Sequence, residues 1–262
     1  MLLDLFSRYV KSDTISFKHA KGISDHSGKE FHLFHEIVLF LGGDAQLISE
    51  TVNIKLKPQT IVVIPKETYH QFIINGDQNE YYRCVFQFYE TAENLSLISS
   101  SIQELFVTES DKIIAHLFSK MIKMTKEPDE NAQIVSEAVL NLLLDEIKLK
   151  KSIEVFEDLS DELTKQAIEY ISQNLAENVN VNDIAKYLNV SPSTLMRTFK
   201  KNMNMPIHKY IIKKRLIFAH TKITNGEPAT LAAIDCGFND YSGFYKQYKK
   251  MFGVSPSRKH IG

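Results

Sequence analysis

The feature that most constrains how this chain folds is a repeat near its C-terminal end. From Leu163 onward the sequence matches itself at a spacing of 48 to 49 residues. Self-similarity at a fixed spacing predicts that the same supersecondary unit occurs twice. The equivalent positions are Ala185 and Ala233, Asn189 and Gly237, Ser191 and Asp240, Leu195 and Phe244, Phe199 and Tyr248, and the pairs Lys200-Lys201 and Lys249-Lys250.

Each copy is typical of a helix, a tight turn and a second helix. In the first copy the small Ala185 lets a crossing helix approach closely. Asn189 follows, and asparagine tolerates the left-handed backbone that a tight turn needs. Ser191 then caps the next helix, and Pro192 occupies its first position, where a missing N–H does no harm. In the second copy Asp240 takes the capping role.

The second helix of each copy has an apolar face and a polar face. In the first copy Leu195 and Phe199 pack inward, while side chains at i, i+3, i+4 and i+7 from Ser193 lie on the other side. A polar, basic helix face suits the major groove of DNA. The residues that we expect to contact DNA are Ser193, Thr194, Met196, Arg197, Lys200 and Lys201 in the first unit, and Tyr241, Ser242, Tyr245, Lys246 and Lys249 in the second.

The segment between the copies, IHKYIIKKRLIFAHTKI, predicts one unbroken linker helix that ends at Asn225-Gly226. Its length from Ile207 to Ile223 is about 25 Å, at ~1.5 Å per residue. That is close to the offset needed to hold two recognition helices near the ~34 Å between successive major grooves. The linker helix is therefore expected to set their spacing.

These residues resemble the AraC/XylS family of transcription regulators over residues 163–258. The resemblance is carried by VNDIAKYLNVSPSTLMRTFKK, by a linker helix with KKRLIFAH, and by CGFNDYSGFYKQYKKMFGVSPS, which is similar to that family's C-terminal signature. Three positions depart from the family pattern: Asn189 replaces the usual turn glycine, Ala232 replaces a larger aliphatic residue, and Gly243 lies inside the second recognition helix. A helical glycine costs ~1 kcal/mol relative to alanine, which predicts a softer second unit.

The candidate DNA contacts differ in chemistry. Arg197 suits a bidentate bond to guanine O6 and N7, and the alternative is a phosphate contact. Met196 offers only apolar contact, for example to a thymine methyl group, and Ser193 is too short to discriminate alone. The lysines are expected to bind the DNA backbone or to remain solvated. Lys246 and Tyr245 are open between base and phosphate, and Tyr241 is equally compatible with a packing role.

The N-terminal region indicates an antiparallel β-structure followed by helices. Short β-branched and aromatic runs between about 31 and 90 alternate with turns such as Gly42-Gly43 and Asn75-Gly76, which predicts a sandwich or small barrel. EIVLFL and IPKETYHQF are similar to the cupin-type effector domain of the same family. The period then becomes helical in two stripes, one from Ile113 to Ile122 and one from Ile134 to Leu143. These two helices are expected to form a homodimer interface.

The predicted fold class is a multidomain α+β protein, with an N-terminal cupin-like antiparallel β-barrel plus dimerisation helices and a C-terminal all-α domain. The predicted segments are a sensor β-domain at 1–100, dimerisation helices at 101–150, an interdomain linker at 151–160 and a DNA-binding domain at 161–262. Within the last, the first helix-turn-helix unit is expected at about 181–202, the linker helix at about 207–224 and the second unit at about 229–252.

Charge is divided unequally between these parts. Residues up to Ser160 include 16 basic and 24 acidic side chains, a net charge of −8, whereas the remainder includes 15 basic and 8 acidic side chains, a net charge of +7. Only the C-terminal part is therefore expected to meet a polyanion. Asp4 interrupts what would be the apolar stretch of a signal peptide, and two cysteines are few for an oxidising compartment, so the expected location is the cytoplasm.

Four polar residues in the β-region suggest a ligand site. Cupin-type barrels hold metals with His and Glu, but strand alternation through 32–36 places His32 and Glu36 on one face and His35 on the other. The four cannot then converge, so no metal or other cofactor is expected. His32, Glu36 and His70 are instead candidates to line an effector pocket, and ordinary core or surface placement is the alternative.

The sequence therefore predicts a DNA-binding transcription regulator. Family resemblance implies activation through contact with RNA polymerase and response to a small-molecule effector, although repression is compatible with the same DNA contacts. The alternative is a cupin-type metal enzyme with a helical tail. It would need convergent ligands in the barrel, and it leaves the basic repeat unexplained.

Overall fold

The chain divides into two compact units, residues 1–159 and 160–262. The computed structural model describes residues 8–22, 32–75, 81–102, 104–127, 130–150, 161–177 and 179–257. The predicted interdomain linker at 151–160 lies outside these residues. Among the helices within them, none is both long and apolar enough to span a bilayer.

The first unit contains two antiparallel sheets and three helices. The six-stranded sheet has the order β1-β2-β8-β3-β6-β9 and the three-stranded sheet the order β5-β4-β7. The strands are β1 (Arg8–Lys11), β2 (Ile15–Lys21), β3 (His35–Gly42), β4 (Ala45–Ser49), β5 (Asn53–Lys55), β6 (Thr60–Ile64), β7 (His70–Ile74), β8 (Tyr82–Phe88) and β9 (Phe106–Glu109); the helices are α1 (Leu95–Ser101), α2 (Lys112–Lys126) and α3 (Ala132–Lys148).

Strand β3 lies inside the larger sheet and is buried on both faces, which explains why EIVLFL is continuously apolar after its first residue. Ile37 and Leu39 pack in a cluster with residues of α2 and α3. Val38 and Phe40 pack in a second cluster with residues of the three-stranded sheet. Alternate residues of one strand therefore face the helices and the opposing sheet.

Helix α3 separates the predicted apolar stripe into two faces. Val139 and Leu143 are buried, whereas Ile134 is 67% exposed and Leu142 is 57% exposed. Ala138 is also exposed, so an apolar row at i, i+4 and i+8 remains uncovered. The sequence stripe therefore combined residues that pack on the sheet with residues that face outward.

Four elements of this unit were not predicted from sequence: β1, β2, α1 and β9. Strand β9 lies within 101–150, the segment predicted to be helical, and pairs with β6 at the edge of the larger sheet. Its apolar residue Val107 is buried against the same cluster as Val38. At four residues, β9 is too short for a periodic pattern to reveal.

The second unit is all-helical in its described residues. Its helices are α4 (Glu162–Gln173), α5 (Val181–Tyr187), α6 (Pro192–Met203), α7 (Ile207–Thr224), α8 (Ala229–Asp235) and α9 (Tyr241–Phe252). The helices α5 and α6 form the first helix-turn-helix unit, α8 and α9 form the second, and α7 joins them. Asn189 at φ +54° and Gly237 at φ +76° make the two turns in the left-handed conformation, as the repeat predicts.

Candidate functional site

The exposed face of α6 is the first candidate surface for DNA. Ser191 caps the helix, because its hydroxyl accepts from the Thr194 backbone N–H at 3.1 Å. Leu195 and Phe199 are buried beneath, which orients the helix and leaves the other face outward. The predicted contact residues that lie exposed on α6 are Ser193, Met196, Arg197, Lys200 and Lys201.

Thr194 differs from the other predicted contacts on α6. It is half-buried, and its hydroxyl lies 2.8 Å from the Ser191 hydroxyl. Its backbone N–H also donates to the same capping oxygen. Thr194 is thus engaged in holding the start of the helix. Arg197, by contrast, has no ion pair with any residue that the structure describes, so its guanidinium remains available.

Helix α9 repeats this construction in the second helix-turn-helix unit. Asp240 caps it by accepting from the Ser242 N–H at 3.1 Å and from the Gly243 N–H at 2.5 Å. Phe244 and Tyr248 are buried. Of the predicted contacts on α9, the exposed ones are Tyr241, Ser242, Lys246 and Lys249, and Tyr245 is half-buried. Tyr241 also packs on Phe244, with ring centroids 5.7 Å apart.

The structure explains why Gly243 is tolerated inside a helix. A Cβ at this position would stand 2.6 Å from Oδ2 of Asp240, the oxygen that caps the helix. A larger residue would therefore push the capping carboxylate away. Helix propensity alone makes Gly243 unfavourable, but the absence of a side chain at this position leaves room for the capping carboxylate of Asp240.

Helix α7 connects the two helix-turn-helix units through buried polar contacts that sequence reasoning missed. The guanidinium of Arg215 donates to the backbone carbonyls of Leu175, at 3.3 Å, and of Glu177, at 2.6 Å. Nδ1 of His220 lies 2.6 Å from the Tyr248 hydroxyl on α9. In the sequence Arg215 belongs to the basic run KKR, and nothing in that run indicates that its side chain is buried.

A second candidate site is a buried cluster in the first unit, formed by His32, Glu36 and His70. Glu36 Oε2 lies 3.4 Å from Nε2 of His32 and 3.3 Å from Nε2 of His70. All three side chains are buried, and their ligand atoms lie within 4.8 Å of one another. Burial alone would raise the pKa of Glu36, but the two facing imidazoles outweigh it and hold that pKa below its usual range.

Strand geometry assembles this cluster. Glu36 is on β3 and shares its face with Val38, so it points towards the three-stranded sheet. His70 begins β7 in that sheet, and His32 lies three residues before β3 starts. Gln87 is the cross-strand neighbour of Glu36 on β8, and its Nε2 donates to Glu36 Oε1 at 2.9 Å. Gln87 was not predicted, although a polar residue inside the apolar run CVFQF is its sequence signal.

His35 takes the opposite face, as alternation predicts. Its Nε2 lies 3.2 Å from Glu90 Oε1, and its Nδ1 accepts from the Lys66 backbone N–H at 3.3 Å. Burial lowers the pKa of His35, although Glu90 partly opposes the shift. The four residues therefore do not converge, as predicted, but His32, Glu36 and His70 lie together without His35.

Comparison with known proteins agrees with the helical unit. A helix-turn-helix domain family matches residues 184–259. The chain is 25% identical over 233 residues to a probable transcriptional regulator, LumQ, of Photobacterium leiognathi, which covers 87% of this chain and 89% of that protein. It is 24% identical over 258 residues to the lactose operon transcription activator of Staphylococcus xylosus, which covers 96% of this chain and 84% of that protein.

A third relative is the arabinose operon regulatory protein of Salmonella typhimurium, 23% identical over 232 residues, with 86% of this chain and 82% of that protein covered. These matches extend through both units of the chain, and the relatives are regulators of transcription. The paired, capped helices with exposed basic faces supply the physical basis for the same role. The chain is therefore similar along both compact units to regulators of transcription, and residues 184–259 match a helix-turn-helix domain family.

Proposed function

We propose that the protein is a homodimeric, sequence-specific activator that responds to a small-molecule effector through its first unit. Each protomer inserts α6 and α9 into successive major grooves. The observation that carries this proposal is the matched pair of capped helices, each with a buried aromatic face and an exposed basic face, joined by one helix. The linker helix has 18 residues, about 27 Å at ~1.5 Å each.

Readout of DNA sequence is assigned mainly to the first helix-turn-helix unit. Arg197 is exposed and presents a planar fork that fits the O6 and N7 edge of guanine. Met196 beside it offers an apolar contact. Lys200 and Lys201 near the end of α6, and Lys246 and Lys249 on α9, are assigned to phosphates, which position the protein without reading bases.

Dimerisation is assigned to the outer row of α3, which contains Ile134, Ala138 and Leu142. Apolar residues at this spacing form a ridge that a second copy of the same helix can cover, burying it in a symmetric contact. Ile113 on α2 is also exposed, at 53%. Two protomers would bring four recognition helices to one operator, which is the arrangement that direct or inverted half-sites require.

Effector response is assigned to the buried cluster of His32, Glu36 and His70, because it is a polar group of side chains inside an otherwise apolar sandwich. One relative is named as a transcription activator, and the family relationship favours the same action here through contact with RNA polymerase. A regulator of this kind acts in the cytoplasm, where it reaches chromosomal DNA.

The test of DNA binding uses the full chain and a pool of random duplexes. Repeated selection should enrich one sequence with two conserved blocks per protomer, spaced by about one helical turn. Affinity for the enriched site should fall steeply as salt rises, because lysine contacts release counterions. Enrichment of no sequence, with equal affinity for every duplex, would overturn the proposal of sequence-specific binding.

A further inference from the structure

In the cluster of His32, Glu36 and His70, several hydrogen-bond acceptors face one another. Nδ1 of His32 lies 2.7 Å from the Phe34 carbonyl oxygen, and Nδ1 of His70 lies 3.2 Å from the Thr68 carbonyl oxygen. A carbonyl oxygen only accepts, so each Nδ1 must carry the proton. In the neutral imidazole, each Nε2 is then a lone pair.

When both imidazoles are neutral and Glu36 is ionised, both lone pairs point at an oxygen that has no proton to donate. Nε2 of His32 and Nε2 of His70 face the same carboxylate oxygen of Glu36, at 3.4 Å and 3.3 Å. Nε2 of His32 is buried and has no hydrogen-bond partner among the described residues. Three acceptors that converge away from water repel one another unless a cation lies between them, which is either a proton bound at an imidazole Nε2 or a metal ion.

We propose that His32 Nε2, His70 Nε2 and Glu36 Oε2 form a binding site for one divalent transition-metal ion. Tetrahedral ligands at ~2.0–2.1 Å from zinc are separated by roughly 3.3 Å, which matches both distances to the carboxylate oxygen. The two imidazole nitrogens, within 4.8 Å of each other, would move closer around the ion. Three protein ligands leave a coordination position open for water or for a donor atom of an effector.

The surroundings of the cluster are those that a metal site needs. Each imidazole donates its other N–H to a backbone carbonyl, which fixes both the tautomer and the ring orientation. Gln87 holds the second oxygen of Glu36 at 2.9 Å. The His32 ring is further held by stacking on Phe34, with centroids 4.0 Å apart. Two imidazoles with one carboxylate favour zinc, iron, cobalt or nickel over magnesium and calcium.

This inference names the chemistry of the cluster that the proposed function assigns to effector response, and it rests on that function only for its regulatory meaning. Ion binding is measured without DNA, so its failure would leave DNA binding intact. Equally, a protein that binds metal but no DNA would overturn the proposed function alone.

The experiment titrates Zn²⁺ and Co²⁺ into full-length protein that has been stripped with a chelator, followed by calorimetry and by visible absorption of bound Co²⁺. Wild type should bind one equivalent of either ion in competition with the other, and Mg²⁺ should not displace it. His116→Ala is the matched control, because this exposed histidine on α2 lies outside the cluster; it should bind as wild type does.

Glu36→Gln is the decisive variant because its amide can satisfy the same neighbours without a metal. Its oxygen would accept from Gln87, and its NH₂ group would donate to both Nε2 atoms. This variant should lose the equivalent of metal, and its thermal midpoint without metal should equal or exceed that of the stripped wild type. Zn²⁺ should raise the midpoint of wild type and leave that of Glu36→Gln unchanged.

Two further variants complete the test. His70→Gln should also lose the equivalent of metal, and it supplies the comparison if Glu36→Gln does not fold. Gln87→Leu should retain the site with affinity lowered about 10- to 100-fold, as expected for a positioning residue behind a ligand. The proposal is overturned if wild type binds no stoichiometric ion, or if the folded Glu36→Gln or His70→Gln proteins bind it as tightly as wild type.

Discussion

The guanidinium of Arg215, on the linker helix, lies directly against Gly237, in the turn of the second helix-turn-helix unit. A Cβ built on Gly237 would stand 3.0 Å from Cζ of Arg215. The same guanidinium is fixed by the carbonyls of Leu175 and Glu177, at the end of the helix that precedes the first unit. One buried side chain therefore contacts both the turn of the second helix-turn-helix unit and the segment that precedes the first.

Gly237→Ala should accordingly destabilise the helical unit by more than a glycine-to-alanine change at an open turn. The backbone there has φ +76°, which costs alanine about 1 kcal/mol or more, and the added methyl group meets an arginine that cannot move without losing two hydrogen bonds. Urea unfolding of the full chain should show a loss of roughly 2 to 4 kcal/mol in that transition.

Gly226→Ala is the matched control for that substitution. Gly226 also has positive φ, at +96°, but nothing lies within 4 Å of its Cβ position. It should show the backbone cost alone, about 1 to 2 kcal/mol. Equal losses in the two variants would mean that the contact with Arg215 contributes nothing.

Arg197 and Lys200, one turn apart on the exposed face of α6, should give mutants that differ in kind. Arg197→Ala should cost roughly 1 to 3 kcal/mol on the selected site and little on scrambled DNA, because a bidentate base contact is lost. Lys200→Ala should weaken both duplexes alike and reduce the salt slope by about 1.

Binding of both proteins to both duplexes across a salt series makes this comparison. If Arg197→Ala lowers the two affinities equally, Arg197 contacts the DNA backbone. Specificity in the first unit would then come from Ser193 and Met196 or from DNA shape.

Leu142→Glu should convert the dimer to a monomer, because it places a charge in the centre of the exposed row on α3. The side chain is 57% exposed in the single chain, so the fold should tolerate the change. Sedimentation velocity would give the mass. Lys148→Glu, an exposed change on the same helix outside the row, should leave the dimer intact. A Leu142→Glu protein that remains dimeric would place the interface elsewhere.

Gly243→Ala should fail to stabilise α9, although alanine is the better helix former by ~1 kcal/mol. The new methyl group would stand 2.6 Å from Oδ2 of Asp240 and disturb the cap. In an Asp240→Ala background, which lacks that carboxylate, the same substitution should regain its full benefit. The unfolding free energies of the four proteins form a double-mutant cycle. A stabilisation of the same size in both backgrounds would show that the glycine and the cap are independent.

Tyr248→Phe should remove the hydrogen bond between the linker helix and α9 at little cost in shape. The hydroxyl lies 2.6 Å from Nδ1 of His220, and burial raises the pKa of Tyr248 to about 12, so the hydroxyl keeps its proton at neutral pH. A buried hydrogen bond that loses one partner costs about 1 to 3 kcal/mol. Chemical unfolding at neutral pH would measure it, and an unchanged free energy would contradict the role given to this pair.

The helical unit could be predicted in detail because its signals are local. Ser191, Asp240 and the two turn residues act within a few positions of themselves, so their roles depend little on distant parts of the chain. The aromatic faces follow from helical spacing alone. Arg215 could not be predicted, because its partners lie 38 and 40 residues away and the basic run KKR does not show which of its members is buried.

The β-unit shows the opposite balance. Six of its strands follow from β-branched runs between turns, but β9 and the pairing order depend on contacts between distant segments. Alternation correctly separated His35 from Glu36. It could not show that His70, from the other sheet, would meet Glu36 across the core, because that meeting is a property of sheet packing and not of either strand.

The two buried faces of β3 restrict how this protein can change over time. Glu36 is part of the cluster with His32 and His70, whereas Ile37 packs against the helices, so neighbouring residues of one strand serve two separate tasks. Each face can drift by substitution without disturbing the other. An insertion or deletion of one residue would exchange the two sets of side chains at once. Lineages that descend from this protein are therefore expected to accept substitutions on one face of β3 independently of the other face while keeping the length of the strand fixed.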